Sequence, residues 1–180
     1  MKRTPSTTLP RKRGREKKAS IDILVQSPLW QAEPKAEAAV RDAINAAAET
    51  LAAKPAHSTK NVEVAIVLTD DSAVRALNKQ WRDIDAPTNV LSFPAQQPPA
   101  GAPALLGDIV IAYETLARET AAEGKLFLHH LAHLTVHGFL HLMGYDHEDD
   151  RSAEDMERLE RLALARLDVP DPYLARDTGR

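Results

Sequence analysis

The chain has 180 residues and no cysteine. That removes a disulfide framework, a thiolate metal site and a cysteine nucleophile, and it agrees with a reducing cytosol. Long apolar runs are missing too. None approaches the roughly 20 residues of a membrane span, and no apolar signal core lies near the N-terminus. The expectation is a cytoplasmic protein with no membrane segment. An apolar share of 43% and a charged share of 27% are ordinary for a soluble globular chain. The length suits one domain with a proper core.

What the chain does have is an uneven distribution of charge. Residues 1–20 hold eight Lys/Arg against Glu16 alone, a balance of +7, while the rest carries 15 basic and 25 acidic residues, or −10. Residues 1–19 are otherwise nearly free of apolar side chains and read as a disordered basic arm. Such an arm on an acidic body suits a polyanion, so residues 2–18 are candidates for RNA contact; a simply solvated tail is the other reading.

Residues 20–175 read as a single α+β domain, a small four-stranded mixed sheet with about five helices in one layer, and 176–180 as a loose end. Strands are expected at Ile21–Val25, Val62–Leu68, Val90–Phe93 and Leu105–Ala112, from β-branched and apolar runs stopped by turn residues. Helical spacing predicts helices from Pro34 to about Ala53 and from Thr69-Asp70-Asp71-Ser72 through a Val74, Leu77, Trp81 stripe. Others follow over Tyr113–Ala122 and Leu126–Met143, with Gly124 ending the first. The last follows a capping box at Ser152-Ala153-Glu154-Asp155, with Met156, Leu159, Leu162, Ala163 and Leu167 on its apolar face. The acids Glu148, Asp149, Asp150, Glu154 and Asp155 suit that helix start. Gln97–Pro103 is turn-rich and reads as a surface loop.

Six of the seven histidines lie between residues 129 and 147. His129, His133, His137 and His141 form an i, i+4 ladder, but a helix drifts by roughly 40° per such step, so only adjacent members can share an ion. Either His133/His137 or His137/His141 could form the pair. Gly144 lies one turn beyond His141, where a left-handed residue can end the helix and turn the chain, and His147 can then return to the His137/His141 pair. Three imidazoles with one open position form the ligand set of a catalytic zinc, one Zn2+ ion in all. His133 becomes a partner of another side chain or a wall of the cleft. Asp146 could accept a ligand N–H or simply decorate an acidic loop.

The spacing matches the long zincin motif His-Glu-x-x-His-x-x-Gly-x-x-His, except that Gly138 stands where those peptidases carry the glutamate base. Another group must then manage charge. Arg82 precedes a loop with Thr88 and Asn89; from spacing alone it is either an ordinary surface arginine or a clamp for phosphate.

Three stretches resemble the bacterial rRNA-maturation endoribonuclease family YbeY. They are Trp81-Arg82 with Pro87-Thr88-Asn89-Val90-Leu91-Ser92-Phe93-Pro94, then Leu106-Gly107-Asp108-Ile109-Val110-Ile111, and His133 with His137 to His147. Asp171-Pro172-Tyr173 resembles the family's usual finish. The resemblance implies a single α+β domain with a zincin-like metal site on a long helix. It also implies a zinc-dependent, single-strand-specific endoribonuclease of late rRNA processing. That includes maturation of the 3′ end of small-subunit 16S rRNA and ribosome quality control, with the small subunit and assembly factors as partners. It implies His137, His141 and His147 as ligands and catalytic residues with Arg82, and Thr88, Asn89 and Ser92 as substrate-side residues or loop shapers. Zinc would lower the pKa of its water toward about 7, or polarise the phosphate for attack by the RNA 2′-OH. The alternatives are a zinc hydrolase of peptides or amides, which Gly138 argues against, and a non-catalytic, zinc-stabilised ribosome-assembly module.

Overall fold

The computed structural model describes residues 19–53, 62–95, 104–147 and 149–174. The expectations for the basic arm, the Gln97–Pro103 loop and the C-terminal end fall largely or wholly outside these residues. The strands are β1 (Ser20–Val25), β2 (Val62–Thr69), β3 (Val90–Pro94) and β4 (Ala104–Ala112). The helices are α1 (Ala36–Ala52), α2 (Asp71–Arg82), α3 (Tyr113–Glu123), α4 (Phe127–Leu142) and α5 (Asp150–Ala165), with a 3₁₀ turn over Pro28–Ala32.

The sheet order is β1-β2-β4-β3. β1, β2 and β4 run parallel through crossovers that contain α1 and α2, while β3 lies antiparallel on the edge of β4. The expected α+β domain with a four-stranded mixed sheet and five helices is therefore present.

Its layering is richer than expected. Val64, Ile66, Leu68, Ile109 and Ile111 face a large core with α1, α4 and α5, whose largest buried side chains include Ile44, Leu51, Phe139, Leu140 and Met156. On the opposite face, Leu91, Val110 and Ala112 pack with Val74 and Leu77 of α2. The run Ile109-Val110-Ile111 is apolar on consecutive residues because both of its faces are covered. One layer of helices would leave Val110 in water.

Three further expectations change in detail. Trp81 is 65% exposed, outside the α2 core stripe, and its ring lies tilted 6.0 Å from Phe93 of β3. The capping box of α5 begins one turn earlier: Asp149 is the N-cap, its carboxylate accepting from the Arg151 and Ser152 amides, and the Ser152 hydroxyl accepts from the Asp149 amide at 3.2 Å. Leu162 is 49% exposed, while Glu160 is buried beside Leu159 and Ala163 on that turn.

Candidate metal centre

α4 carries two of the three histidines because its apolar side chains enclose it on most sides. Leu131, Val136, Phe139 and Leu140 are fully or almost fully buried, and the edge bearing His133, His137 and His141 opens outward. The helix lies so close to the sheet at Gly138 that a Cβ there would stand 3.0 Å from both Ile109 Cγ2 and Ser92 Oγ. The Ser92 hydroxyl donates to the Gly138 carbonyl at 3.3 Å, joining edge strand and helix. The glycine in the zincin-like motif thus stands where any side chain would crowd Ile109 and Ser92. A glutamate at 138 would be driven into the sheet rather than toward the metal face.

The helix ends by a Schellman turn. Tyr145 N–H donates to the Leu140 carbonyl and Gly144 N–H to the His141 carbonyl, both at 3.0 Å, with Gly144 at φ +85°. A Cβ at Gly144 would touch nothing, so it is the left-handed backbone that calls for glycine. The turn brings the Tyr145 carbonyl 2.9 Å from His141 Nδ1 and carries the exposed His147 back over the helix end. The ring of His147 then lies 5.1 Å from that of His141 and 5.7 Å from that of His137.

One ligating atom from each of His137, His141 and His147 lies within 4.8 Å of the other two. The test of fit is the proton arrangement. A carbonyl only accepts, so His141 Nδ1 must donate to Tyr145. Glu160 Oε1 lies 2.8 Å from His137 Nδ1. With neutral rings, both Nε2 atoms present lone pairs to each other at 3.0 Å. Two facing lone pairs need a cation between them, and their separation is near the roughly 3.3 Å expected of two imidazoles on tetrahedral zinc. Burial, and the proximity of His137, hold the His141 ring below the ordinary histidine range, on the neutral side that a ligand requires.

Glu160 gave no sign of this role in the spacing of the histidines. It is 0% exposed, on α5, and takes His137 Nδ1 on Oε1, with His133 Nε2 at 3.0 Å and the Tyr173 hydroxyl on Oε2. Burial pushes its carboxyl up, but the His133, His137 and Tyr173 bonds outweigh that and bring it down to about 2. An ionised carboxylate so enclosed costs several kcal/mol in desolvation unless donors surround it, and here they do. It is fully engaged as an acceptor and is not placed as the missing peptidase base. A signal did exist in the sequence: 160 shares the stripe of Met156, Ala163 and Leu167, where a lone acid needs a buried partner.

The remaining expected residues divide between two places. His133 lies beside His137 on α4 and bonds Glu160. Asp146 is exposed on the loop between Gly144 and His147. Asn89 Nδ2 lies 3.0–3.1 Å from both Glu119 oxygens of α3, its Oδ1 accepts from the Val90 amide, and Glu119 also meets the buried His130. Thr88 is half-buried next to it. Arg82 is exposed at the end of α2, where Asp83 turns left-handed at φ +59°, and it has no hydrogen-bond or ion-pair partner among the described residues. The neighbouring Trp81 rests on β3, the same strand whose Ser92 touches α4.

Comparison with known proteins gives a consistent answer. The family model described as endoribonuclease YbeY matches residues 28–168. A protein of Rhodopseudomonas palustris (strain BisA53) named endoribonuclease YbeY is 56% identical over 162 residues, covering 88% of this chain and 92% of its own. One from strain BisB18 is 57% identical, covering 88% and 94%. One from Nitrobacter hamburgensis is 55% identical over 159 residues, covering 86% and 82%. The chain belongs to the YbeY endoribonuclease family.

Proposed function

We propose that this protein is a zinc-dependent endoribonuclease that cuts single-stranded RNA in late rRNA processing, including 3′ end maturation of 16S rRNA, and serves ribosome quality control in the cytoplasm. The observation that carries the reading is the converging histidine trio, with two rings held in the ligand tautomer by Glu160 and the Tyr145 carbonyl, in a chain of this family. Among the described residues no helix is long and apolar enough to cross a membrane.

His137, His141 and His147 would hold the ion, and zinc supplies Lewis-acid chemistry at neutral pH. Glu160 keeps the His137 ring from rotating, and the Tyr145 carbonyl does the same for His141. Arg82, with no partner among the described residues, offers five N–H donors to a phosphodiester and to the charge that grows on its oxygens. Asn89 and Ser92 act chiefly by holding the loop and the edge strand in place, since their polar groups are taken by Glu119, Val90 and Gly138. A metal and an exposed arginine that must both reach one phosphodiester suit a splayed single strand better than a duplex. The small ribosomal subunit and its assembly factors are the partners this reading implies, with the arm 2–18 as a further RNA contact.

The test pairs metal analysis with cleavage of a single-stranded RNA. Wild type should carry one zinc per chain and cut, and His141→Ala should do neither. Cleavage undiminished in a zinc-free His141→Ala protein would overturn the reading.

A further inference from the structure

The chain reverses after α5 and runs back along it. Asp168 turns left-handed at φ +56°, Val169 N–H bonds the Leu164 carbonyl at 3.1 Å, and residues 169–174 form a strap toward the middle of the helix. Asp171 Oδ1 accepts from the Tyr173 amide at 2.9 Å, which fixes the end of the strap. The Tyr173 ring sits between two side chains: His133 edge-on at 5.7 Å and the Arg161 guanidinium 5.2 Å from the ring centre. Its hydroxyl donates to Glu160 Oε2.

The two carboxylate oxygens of Glu160 therefore do different work. Oε1 serves His137 alone, while Oε2 takes both His133 and Tyr173. The last torsion of a glutamate is soft and roughly two-fold, so burial alone does not hold the carboxylate plane. Donors on the far oxygen do. Resting on the metal reading above, we propose that Tyr173 is a positioning residue of the metal centre. The C-terminal strap orients Glu160 through the Tyr173 hydroxyl, and Glu160 in turn orients His137 for the ion.

Tyr173→Phe in the full chain removes the hydroxyl and keeps the ring between His133 and Arg161. Zinc affinity, measured by competition with a chromophoric chelator, should fall about three- to tenfold, the weight of one hydrogen bond passed on to a ligand. The visible spectrum of the cobalt-substituted protein should change, and the melting temperature should fall more in the metal-loaded chain than in the metal-free one. Glu160→Gln should weaken zinc further, roughly 10- to 100-fold. Leu174→Ala, on the same strap but 72% exposed, should leave affinity and spectrum as they are. Unchanged affinity and cobalt spectrum in Tyr173→Phe would sink this proposal while leaving the metal reading intact. So would a metal-free Tyr173→Phe chain that melts lower by as much as the loaded one, since that marks a purely structural hydroxyl. A wild type that takes up neither zinc nor cobalt sinks the metal reading and this proposal together.

Discussion

The surroundings of the histidine trio and of Arg82 are built to opposite standards. On the histidine side, α4 and α5 enclose an ionised glutamate at 0% exposure, and each polar atom of that carboxylate has a donor. On the arginine side, Arg82 stands in water, and its loop is tied to α2 by exposed Asp85, which pairs with Arg75 at 2.7 Å and Lys79 at 3.0 Å. Further ties run from Asn78 Nδ2 to the Ala86 carbonyl at 2.8 Å, from the Ile84 amide to the Asn78 carbonyl at 3.3 Å and from Asn89 to Glu119. A metal ligand set needs fixed geometry before the ion arrives. A loop tied by exposed ion pairs, which salt screens, keeps more latitude.

The largest expected effect tests the rigid side. Gly138→Glu restores the zincin spelling but drives a side chain into Ile109 and Ser92. It should destabilise the fold by about 3 kcal/mol or more, from overpacking together with a buried charge, and should confer no peptide cleavage. Thermal melting and a peptidase assay check both halves, and a stable, peptide-cutting variant would remove the packing account of this glycine.

Arg82→Ala tests the open side. RNA cleavage should drop about 100-fold, the order seen when one donor to developing charge is lost. Zinc content and melting temperature should match wild type, because no partner among the described residues is left behind. A fall in melting temperature instead would make Arg82 part of the scaffold and blur the contrast.

The smallest effect lies at the base of α2. Asp71 accepts from the amide and hydroxyl of Thr115 and from Arg118, tying the helix that bears Arg82 to α3. Burial raises its carboxyl, but the Thr115 and Arg118 bonds prevail and hold it below the usual aspartate value of 3.8. A depressed carboxyl contributes stability that is fully present above about pH 3.8 and is lost as pH falls through its lower folded value. Asp71→Asn should cost about 1–2 kcal/mol at pH 7 and reduce the difference from wild type as the pH drops below 3.8. A constant difference across that range would show that the charge plays no part.

Much of the metal half was legible in the chain, since His137, His141, Gly144 and His147 sit on one helix and its terminating turn. Local periodicity is enough to bring such residues together. What lay beyond reach depended on contacts between distant segments. Glu160 reads as one of several acids on an amphipathic helix until α4 is laid against it. Tyr173 reaches it only because the chain doubles back. Gly138 looked like a lost base, and the cause, the closeness of Ile109 and Ser92, is a fact of helix-on-sheet packing. Trp81 failed differently: its helical spacing was sound, but β3 took the ring away from the core.

The Schellman turn has one more consequence. Helix ends ordinarily fray, and the amides of the last turn exchange with solvent early. Here the carbonyl that steadies His141 belongs to the residue that closes the turn, so ligand and terminator open or shut together. Loading the ion should therefore slow hydrogen exchange at the Gly144 and Tyr145 amides, which makes the end of α4 an internal gauge of metal occupancy that can be followed without any RNA present.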